Sequence, residues 1–353
     1  MTDLELIEKL SNCAGASGFE DEVLAIAREY LKGVADFEED SMRNLYIYPK
    51  YNKGKRPLVM LDAHSDEVGF MVQAIKPDGT LRFIPVGYWN DKCLPGAKVK
   101  IYTKNGYITG VIGAIPPHLM SADKRNAPLS IADMFIDVGA TNAEEAAAFG
   151  VKVGAPAVPA TVFEYDKAHG LFHGKAFDDR LGAAALLKVI KNLQNTPLNV
   201  DIAGVISSQE EVGDRGIVAV MHRVKADAAI CIEGCPADDT SAPAYMVQDA
   251  IRGGVMLRHM DATVICTPRF NGFAVEAAEK IGVKVQQAVR SGGGNNGAYI
   301  VSANGATPVI VAGIPVRYIH SFNCIAAEED FNSTVKLCEE LCRTLDGKTI
   351  KGF

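Results

Sequence analysis

Two of the seven histidines stand where a metal ligand or a catalytic base could act. His64 follows the apolar segment Leu58–Leu61, and His320 also follows a segment that we predict to be a strand. Asp66 lies two residues after His64, and a carboxylate commonly accepts the second N–H of a metal-bound imidazole and fixes its tautomer. On its own a His-x-Asp pattern is weak evidence, because a loop with a capping carboxylate gives the same pattern.

A pair of adjacent aspartates offers carboxylate ligands. Asp178 and Asp179 precede a predicted helix, where one aspartate is explained as an N-cap that accepts free backbone N–H groups. An N-cap explains the second aspartate less well. In a functional interpretation, one carboxylate of the pair bridges two cations while its neighbour caps the helix or orients the site.

Two adjacent glutamates form the second acidic pair. Glu210 and Glu211 follow the apolar segment Ala203–Ile206, and such neighbours at the end of a buried strand repel each other unless a proton or cation compensates. Neighbouring side chains in extended backbone point to opposite sides, so one glutamate can bind a metal while the other faces a substrate. A solvated charged loop explains this pair about equally well. Glu233 ends a further apolar segment, Ala228–Ile232.

Together these positions place two imidazoles and several carboxylates at the ends of different predicted strands. This donor set suits zinc, cobalt or manganese better than calcium or an iron–sulfur cluster. A bridging carboxylate with two further ligands on each side is typical of two-metal hydrolytic sites, whose ions lie about 3.5–4 Å apart.

A glycine-rich segment at residues 291–297 raises the question of phosphate binding. It lacks the Gly-Lys-Ser/Thr ending of a phosphate-binding loop, and the sequence contains no Gly-x-Ser-x-Gly elbow. We therefore predict a tight active-site loop whose backbone approaches other groups closely. Arg252, Arg258 and Arg290 could favour an acidic substrate residue, but exposed surface cations are the simpler interpretation.

The segments around these residues alternate between apolar strand-like runs and amphipathic helical runs. We predict helices at 4–10, 20–31, 180–193, 216–224, 273–281 and 331–345, and strands at 45–48, 58–61, 201–206, 228–232, 283–286 and 308–312. This alternation favours an α/β fold with a doubly wound, mostly parallel sheet. In such sheets the site forms just after the carboxyl ends of the strands.

Residues 72–160 show a different pattern. Short alternating runs are separated by turn residues such as Lys104-Asn105-Gly106, which is a two-residue hairpin signal. One short helix is predicted at Glu144–Phe149. We therefore expect 72–160 to form a β-rich domain inserted into an α/β domain made of residues 1–71 and 161–353.

Composition sets broad limits on the class of protein. The chain has 353 residues, a formal net charge of −7, 48% hydrophobic residues and 22% charged residues. A prior of about 150 residues per domain predicts two domains or one with an insertion, and this composition allows a packed core. The acidic balance argues against a general nucleic-acid binder. No segment reaches the ~18 apolar residues that cross a bilayer.

The N-terminus and the cysteines favour a cytoplasmic protein. Asp3 and Glu5 stand where a secretory signal peptide has cations. The eight cysteines are scattered, and the four-residue spacing of Cys338 and Cys342 places both on one helix face, which is poor disulfide geometry. We interpret the cysteines as buried thiols in a reducing compartment, with a zinc–thiolate site as the weaker alternative.

Five motifs together resemble those of the tetrahedral (TET) metallo-aminopeptidases, the peptidase family numbered forty-two, which includes glutamyl aminopeptidases. They run in order along almost the whole chain: Ala16–Glu20, Ala63–Gly69, Gly174–Arg180, Gln209–Gly213 and Arg317–Ser321. Their combination is highly specific, although no single motif is. The resemblance implies a zinc-peptidase-like α/β catalytic domain interrupted by a β-rich dimerisation domain, which would be residues 72–160.

The resemblance also implies a role for each candidate residue. The implied metal ligands are His64, Asp178 and Glu233 for one ion, and Asp178, Glu211 and His320 for the other. Asp178 would bridge the ions, Glu210 would act as the general base, and Asp66 would support His64.

The implied enzyme is a di-metal aminopeptidase that hydrolyses the N-terminal residue from short peptides with a metal-activated water. Its cofactors would be two divalent ions per subunit, zinc or cobalt, with manganese as a further candidate. Its partners would be short peptides and further copies of the chain, assembled as dimers and as a tetrahedral dodecamer, with no nucleic acid or membrane.

Two positions depart from the family pattern. The family usually has aspartate where this chain has Glu233, and glutamate reaches farther. The family often has Gly-Gly-Thr-Asp where this chain has Gly293-Gly294-Asn295-Asn296. These changes could alter metal spacing and substrate specificity, and the preferred N-terminal residue is not determined by the sequence.

Other functions remain open at this point. A related di-metal deacylase or carboxypeptidase would use the same ligands on another amide bond. A catalytically silent peptide-binding scaffold would keep the fold, but the intact ligand set argues against it. A glycosidase is disfavoured because it needs two carboxylates but no such histidine–carboxylate set.

Overall fold

The computed structural model of the protein describes residues 1–121 and 130–353. Its α-helices are α1 (Asp3–Asn12), α2 (Asp21–Tyr30), α3 (Ala143–Ala148), α4 (Phe177–Asn192), α5 (Arg215–Arg223), α6 (Pro268–Ile281), α7 (Gly297–Ser302), α8 (Glu328–Thr344) and α9 (Gly347–Ile350). Its β-strands are β1 (Ala35–Glu39), β2 (Leu45–Pro49), β3 (Leu58–His64), β4 (Gly69–Ile75), β5 (Leu81–Val86), β6 (Lys98–Thr103), β7 (Gly106–Gly113), β8 (Phe135–Asp137), β9 (Pro156–Pro159), β10 (Glu164–Asp166), β11 (Leu171–Gly174), β12 (Asp201–Ser207), β13 (Ala228–Pro236), β14 (Val255–Met260), β15 (Val285–Val289), β16 (Val309–Arg317) and β17 (Cys324–Ala327). Part of the predicted insertion, residues 122–129, lies outside the described residues.

The large sheet has the order β1-β2-β12-β3-β13-β16-β17-β11-β10, and β14 pairs with both β15 and β16. The central strands β12, β3, β13 and β16 are parallel. The outer pairings β1/β2, β2/β12, β16/β17, β17/β11 and β10/β11 are antiparallel. The prediction of a mostly parallel sheet therefore holds for the centre, whereas the whole sheet is mixed. Short connections such as those of β1/β2 and β10/β11 cannot make the crossover that parallel pairing requires.

Helices cover both faces of this sheet, as the doubly wound prediction requires. On one face α4 and α8 bury residues such as Leu186 and Leu337 in the main hydrophobic cluster, to which Val59 belongs. On the other face α5 packs Ile217 against a second cluster that contains Met60. Val59 and Met60 are neighbours in β3, and successive side chains of a strand point to opposite faces.

Helix ends differ from the predictions where capping chemistry decides them. The helix predicted at 273–281 begins earlier, at Pro268, because proline suits the first turn, where its missing N–H has no intrahelical acceptor.

The short strands β1, β10, β11, β14 and β17 were not predicted, since runs of three to six residues carry little periodic signal.

The segment between β3 and β10 forms a closed barrel with the strand order β4-β5-β8-β7-β6-β9. Its core includes Phe70, Phe83, Ile101 and Ile136. The hairpin predicted at Lys104-Asn105-Gly106 joins β6 to β7 as expected. Because β4 follows β3 after only four residues, the barrel lies directly beside the carboxyl end of the central strands.

The cysteines are all free thiols, and seven of the eight are buried while Cys93 is exposed. Among the described residues, the groups that could hold a metal ion contain no cysteine, so the zinc–thiolate alternative gains no support. In the part of the chain that the structure describes, no helix combines the length and apolar character needed to cross a bilayer.

A buried ionic cluster ties α1, the end of β3 and α4 together. Lys175 Nζ lies 2.7 Å from both carboxylate oxygens of Glu67 and donates to the Cys13 carbonyl at 2.8 Å. Arg180 donates to the Ser65 carbonyl at 2.8 Å and contacts Glu67 at 3.3 Å. The three charged side chains are at most 1% exposed. Since an unpaired buried charge is strongly unfavourable, this cluster fixes how these segments lie against one another.

Replacing Lys175 by methionine would leave Glu67 with a single cationic partner in dry surroundings. We expect Lys175→Met to lower the free energy of unfolding by about 3–5 kcal/mol, the range for breaking a buried ion pair. Chemical denaturation followed by circular dichroism measures this change. The matched variant Lys9→Met removes the exposed Lys9–Glu29 pair and should have little effect. Equal losses in the two variants would contradict a special role for the buried cluster.

Candidate metal centre

The carboxyl ends of the central strands gather the predicted site residues at one edge of the sheet. His64 ends β3, Glu210 and Glu211 follow β12, and Glu233 lies in the last part of β13. His320 follows β16, the next strand in the sheet. Because these strands are parallel neighbours, residues far apart in sequence meet at the same edge.

Asp178 lies between the two imidazoles. Its Oδ1 is 3.0 Å from Nε2 of His64, and its Oδ2 is 3.3 Å from Nε2 of His320. Each carboxylate oxygen therefore faces a different histidine. This is the arrangement that a carboxylate bridging two cations requires.

The glutamates complete the cluster. Glu211 Oε2 lies 3.3 Å from His320 Nε2. Glu233 Oε2 and Glu210 Oε2 each lie 3.9 Å from His64 Nε2. The structure thus brings together all five residues predicted as metal ligands, with Glu210 beside them.

Asp179 plays a different part from Asp178. Its Oδ1 accepts the backbone N–H of Gly182 at 3.0 Å, and its Oδ2 accepts the backbone N–H of His64 at 3.1 Å. One aspartate of the pair therefore faces the imidazoles while the other caps α4 and holds the backbone of β3. The peptide bond between the two aspartates is cis. Asp179 also lies close enough to His64 and Glu233 to share a cation with them, but its two amide contacts favour Asp178 as the ligand.

Asp66 organises more of the site than its sequence position suggests. Its Oδ1 lies 3.3 Å from Nδ1 of His64. The same carboxylate accepts the backbone N–H groups of Glu210 at 2.9 Å and of Glu211 at 3.2 Å. It also accepts the hydroxyl of Ser17 at 2.6 Å. Sequence reasoning found only the first of these contacts, since nothing local links Asp66 to Ser17 or to the glutamate loop.

Burial sets the protonation of the acidic groups. It raises the pKa of Glu210, Glu211 and Glu233 well above the ordinary value, and neighbouring carboxylates add to the effect. Burial also opposes ionisation of Asp178, but the two imidazoles outweigh it and lower the pKa of that carboxyl. Burial lowers the pKa of His320, but Asp178 and Glu211 outweigh burial and raise this pKa to about 9.

The donor set fits divalent transition-metal ions. Two imidazole nitrogens and several carboxylate oxygens suit zinc or cobalt. Oε1 of Glu211 is buried and has no hydrogen-bond partner among the described residues. A cation would satisfy this oxygen and would also relieve the repulsion that raises the glutamate pKa values.

A cavity of about 820 Å³ opens next to these ligands. Gly292, Gly293 and Gly294 line it, which agrees with the predicted active-site loop. Asn295 and Asn296 are buried and anchor the loop, through bonds of 2.7 Å to Asp261 and to Asp62. The change from the family pattern at these two asparagines therefore lies behind the cavity wall, because neither residue lines the cavity.

Two of the three arginines considered from the sequence line this cavity. Arg258 is only 5% exposed, so its interpretation as a surface cation is wrong. It pairs with Asp261 at 2.9 Å, while Arg290 lies 3.3 Å from Asp238. Arg252 is half-exposed and pairs with Glu329, as a surface cation would. The sequence could not distinguish the buried Arg258 from the exposed Arg252, because β14, the strand that carries Arg258 inward, was not predicted.

Comparison with known proteins places the chain in a family. Residues 44–337 match the family model described as M42 glutamyl aminopeptidase. The chain is 32% identical to the glutamyl aminopeptidase of Lactococcus lactis subsp. cremoris over 93% of each chain. It is 30% identical to the lysyl aminopeptidase of Pyrococcus furiosus over 98% of each chain.

Solved structures share the fold over almost the whole chain. A TET aminopeptidase from a marine sediment archaeon of the Thaumarchaeota aligns with a TM-score of 0.96 and 34% identity, over 99% of both chains. The TET1 peptidase of Pyrococcus horikoshii, which can assemble into a tetrahedron or a large octahedral shell, aligns with a TM-score of 0.87 and 28% identity, over 98% of this chain and 100% of that one.

The fold and the site define a metal-dependent peptide hydrolase. The chain belongs to the M42 family, and it is an aminopeptidase of the TET type.

Without bound cations, the centre should make the fold less stable as pH rises. The glutamate pKa values are raised in the folded state from an ordinary value of 4.5, so ionisation above that pH costs more in the folded chain than in the unfolded one. His320 loses its favourable positive charge between its ordinary pKa of 6.5 and its raised pKa of about 9. Its titration therefore also makes the folded chain less stable as pH rises. We therefore expect the melting temperature of the metal-free protein to fall from about pH 6.5 to about pH 9.

Added zinc or cobalt should reverse this loss, because the ions replace the protons that the ligands otherwise hold. Differential scanning calorimetry of chelated and reloaded protein measures both effects. Glu211→Gln removes one buried carboxylate, so its metal-free form should show a weaker pH dependence. A metal-free melting temperature that does not change across this range would contradict the electrostatic account.

Proposed function

We propose that this aminopeptidase removes the N-terminal residue from short peptides at a centre of two divalent metal ions. The observation that carries the proposal is Asp178, whose two oxygens face His64 and His320 at 3.0 and 3.3 Å. In this assignment one ion is held by His64, Asp178 and Glu233, and the other by Asp178, Glu211 and His320.

Zinc or cobalt is the proposed metal, with manganese as a further candidate, because imidazole and carboxylate donors suit all three. When bound, such ions lower the pKa of water at the site and polarise the scissile carbonyl. Glu233 keeps its carboxylate within 3.9 Å of His64 Nε2, which supports its assignment as a ligand despite its greater length.

Glu210 is the proposed general base. Its carboxylate lies beside the centre, 3.9 Å from His64 Nε2, and its backbone is fixed by the bond to Asp66. Burial raises the pKa of Glu210 well above the ordinary value. A carboxylate with a raised pKa is suited to take a proton from the attacking water and to return it to the leaving amine.

Recognition of the free N-terminus follows from the charge of the cavity. Besides the proposed metal ligands, the carboxylates of Glu210 and Asp214 line the cavity. An ammonium group gains from this acidic surface, whereas a blocked amide does not. The preferred side chain stays open, since one relative is a glutamyl and another a lysyl aminopeptidase.

We also propose that residues 72–160 form a dimerisation domain and that residues 1–71 and 161–353 form the catalytic domain. Exposed apolar residues on the barrel segment, Ile84, Val111, Ile115 and Leu119, support a surface that associates with another copy. Assembly of the TET1 peptidase into a tetrahedron supports dimers that join into a dodecamer. Eight free cysteines support a cytoplasmic location.

Replacing Glu210 by glutamine tests the general base. We expect Glu210→Gln to bind two metal ions as the wild type does and to lose at least about 10²-fold in kcat, the scale of a missing acid–base group. Metal analysis and hydrolysis of an aminoacyl anilide measure both properties. The matched variant Glu211→Gln should instead lose metal. A fully loaded Glu210→Gln enzyme with wild-type kcat would reject the role.

Blocking one end of a peptide tests the direction of cleavage. We expect a defined hexapeptide to release its first residue, and the same peptide with an acetylated N-terminus to stay intact, because the ammonium group is lost. Chromatography with mass spectrometry identifies the products, and Glu210→Gln serves as the inactive control. Release from the carboxyl end would indicate a carboxypeptidase, and release of acetate a deacylase. Binding without turnover would indicate a scaffold.

A further inference from the structure

An aromatic cluster joins the barrel to the loop that carries His320. Phe70 lies in β4, Trp89 follows β5, and Phe322 comes two residues after His320. The ring centroids of Phe70 and Trp89 are 4.7 Å apart, those of Trp89 and Phe322 are 5.2 Å apart, and those of Phe70 and Phe322 are 6.3 Å apart. The Trp89 indole N–H donates to the Gly69 carbonyl at 3.0 Å, which fixes its ring on the barrel.

The His320 loop needs such external support because its backbone is unfavourable. Tyr318 has φ of 63° and His320 has φ of 55°, which place two residues with side chains in the left-handed region. Within the loop, Ser321 Oγ donates to the Tyr318 carbonyl at 2.7 Å. From outside, Thr161 Oγ1 donates to the Phe322 carbonyl at 2.6 Å. The aromatic contacts of Phe322 attach the loop to the barrel as well.

The barrel loop that carries Trp89, residues 87–89, also lies close to Glu211. Gly87 has φ of 80°, and a methyl group added there would lie 2.7 Å from Val68 Cγ1 and 3.5 Å from Glu211 Cβ. The loop of residues 87–89 therefore lies against both Glu211 and, through Phe322, the His320 loop. His64 and Glu233 instead lie within strands β3 and β13 of the large sheet.

We propose that Trp89 and Phe322 are positioning residues that hold His320, and with it one of the two metal sites, in place. The inference rests on the proposed role of His320 as a metal ligand. Loss of the stacked rings frees the loop to leave its left-handed conformation, so His320 Nε2 no longer stays 3.3 Å from Asp178 and Glu211. The ion shared by His64, Asp178 and Glu233 keeps its ligands, because the sheet holds two of them.

Cobalt binding to the purified, metal-free full chain tests whether only one of the two metal sites depends on the aromatic rings. We expect the wild type to bind two ions tightly, and Phe322→Ala and Trp89→Ala to bind one tightly and the second at least about 10-fold more weakly, the scale of losing a group that orients a ligand. Calorimetric titration gives the stoichiometry and affinities, and the visible absorption of cobalt gives the coordination of each ion.

Two further variants separate positioning from general stability. Trp89→Phe keeps a stacked ring and should restore tight binding of the second ion. Phe83 packs edge-on against Phe70 at 5.1 Å inside the barrel. Phe83→Leu should therefore lower the melting temperature but leave two tight ions.

The outcomes distinguish the inference from the function on which it rests. His320→Ala should lose the same ion as Phe322→Ala. If His320→Ala keeps two tight ions, the two-metal assignment is wrong and this inference falls with it. If His320→Ala loses an ion while Phe322→Ala and Trp89→Ala keep both at wild-type affinity, only the positioning role is wrong. If Phe83→Leu weakens binding of the second ion as much as Phe322→Ala does, the positioning role is also wrong.

Discussion

The structure depends on one electrostatic constraint: a group of buried carboxylates must be neutralised at the edge of the large sheet. Glu210, Glu211 and Glu233 are all held in surroundings that raise their pKa values, while Asp178 stays acidic because two imidazoles face it. Protons can satisfy these groups, but divalent cations satisfy them better, because imidazole nitrogens and carboxylate oxygens are both metal donors.

Elements of different rigidity position the residues of this site. Parallel strands β3, β12 and β13 end at one edge, so they place His64 and Glu233 with little freedom. The N-terminus of α4 presents Asp178, and Asp179 fastens that turn to β3. The glutamate loop is fixed by its backbone bonds to Asp66 rather than by a strand. The His320 loop lies outside regular structure, and the barrel is in contact with it.

The inserted barrel contacts the edge that carries the site residues within its own subunit, in addition to its proposed role in association. A barrel loop lines the cavity with Tyr88, and Trp89 stacks on Phe322. The catalytic edge of the sheet is therefore not independent of the insertion. The cavity is also lined by Arg258 and Arg290, which are already paired with Asp261 and Asp238.

The sequence by itself indicated which residues could be metal donors, the alternation of strands and helices, and the presence of a β-rich insertion, because these follow from residue type, spacing and local periodicity. Residue type and spacing left open which aspartate of Asp178 and Asp179 faces the imidazoles, although the resemblance to the family implied Asp178. The sequence also placed Arg258 on the surface. It also contained no sign that Asp66 binds backbone groups 144 and 145 positions away. Only the tertiary structure decided these points, since contacts between distant segments depend on strand order and on how the barrel packs against the sheet. The mixed character of the sheet has the same origin: local patterns define a strand, but the length and path of each connection define its direction.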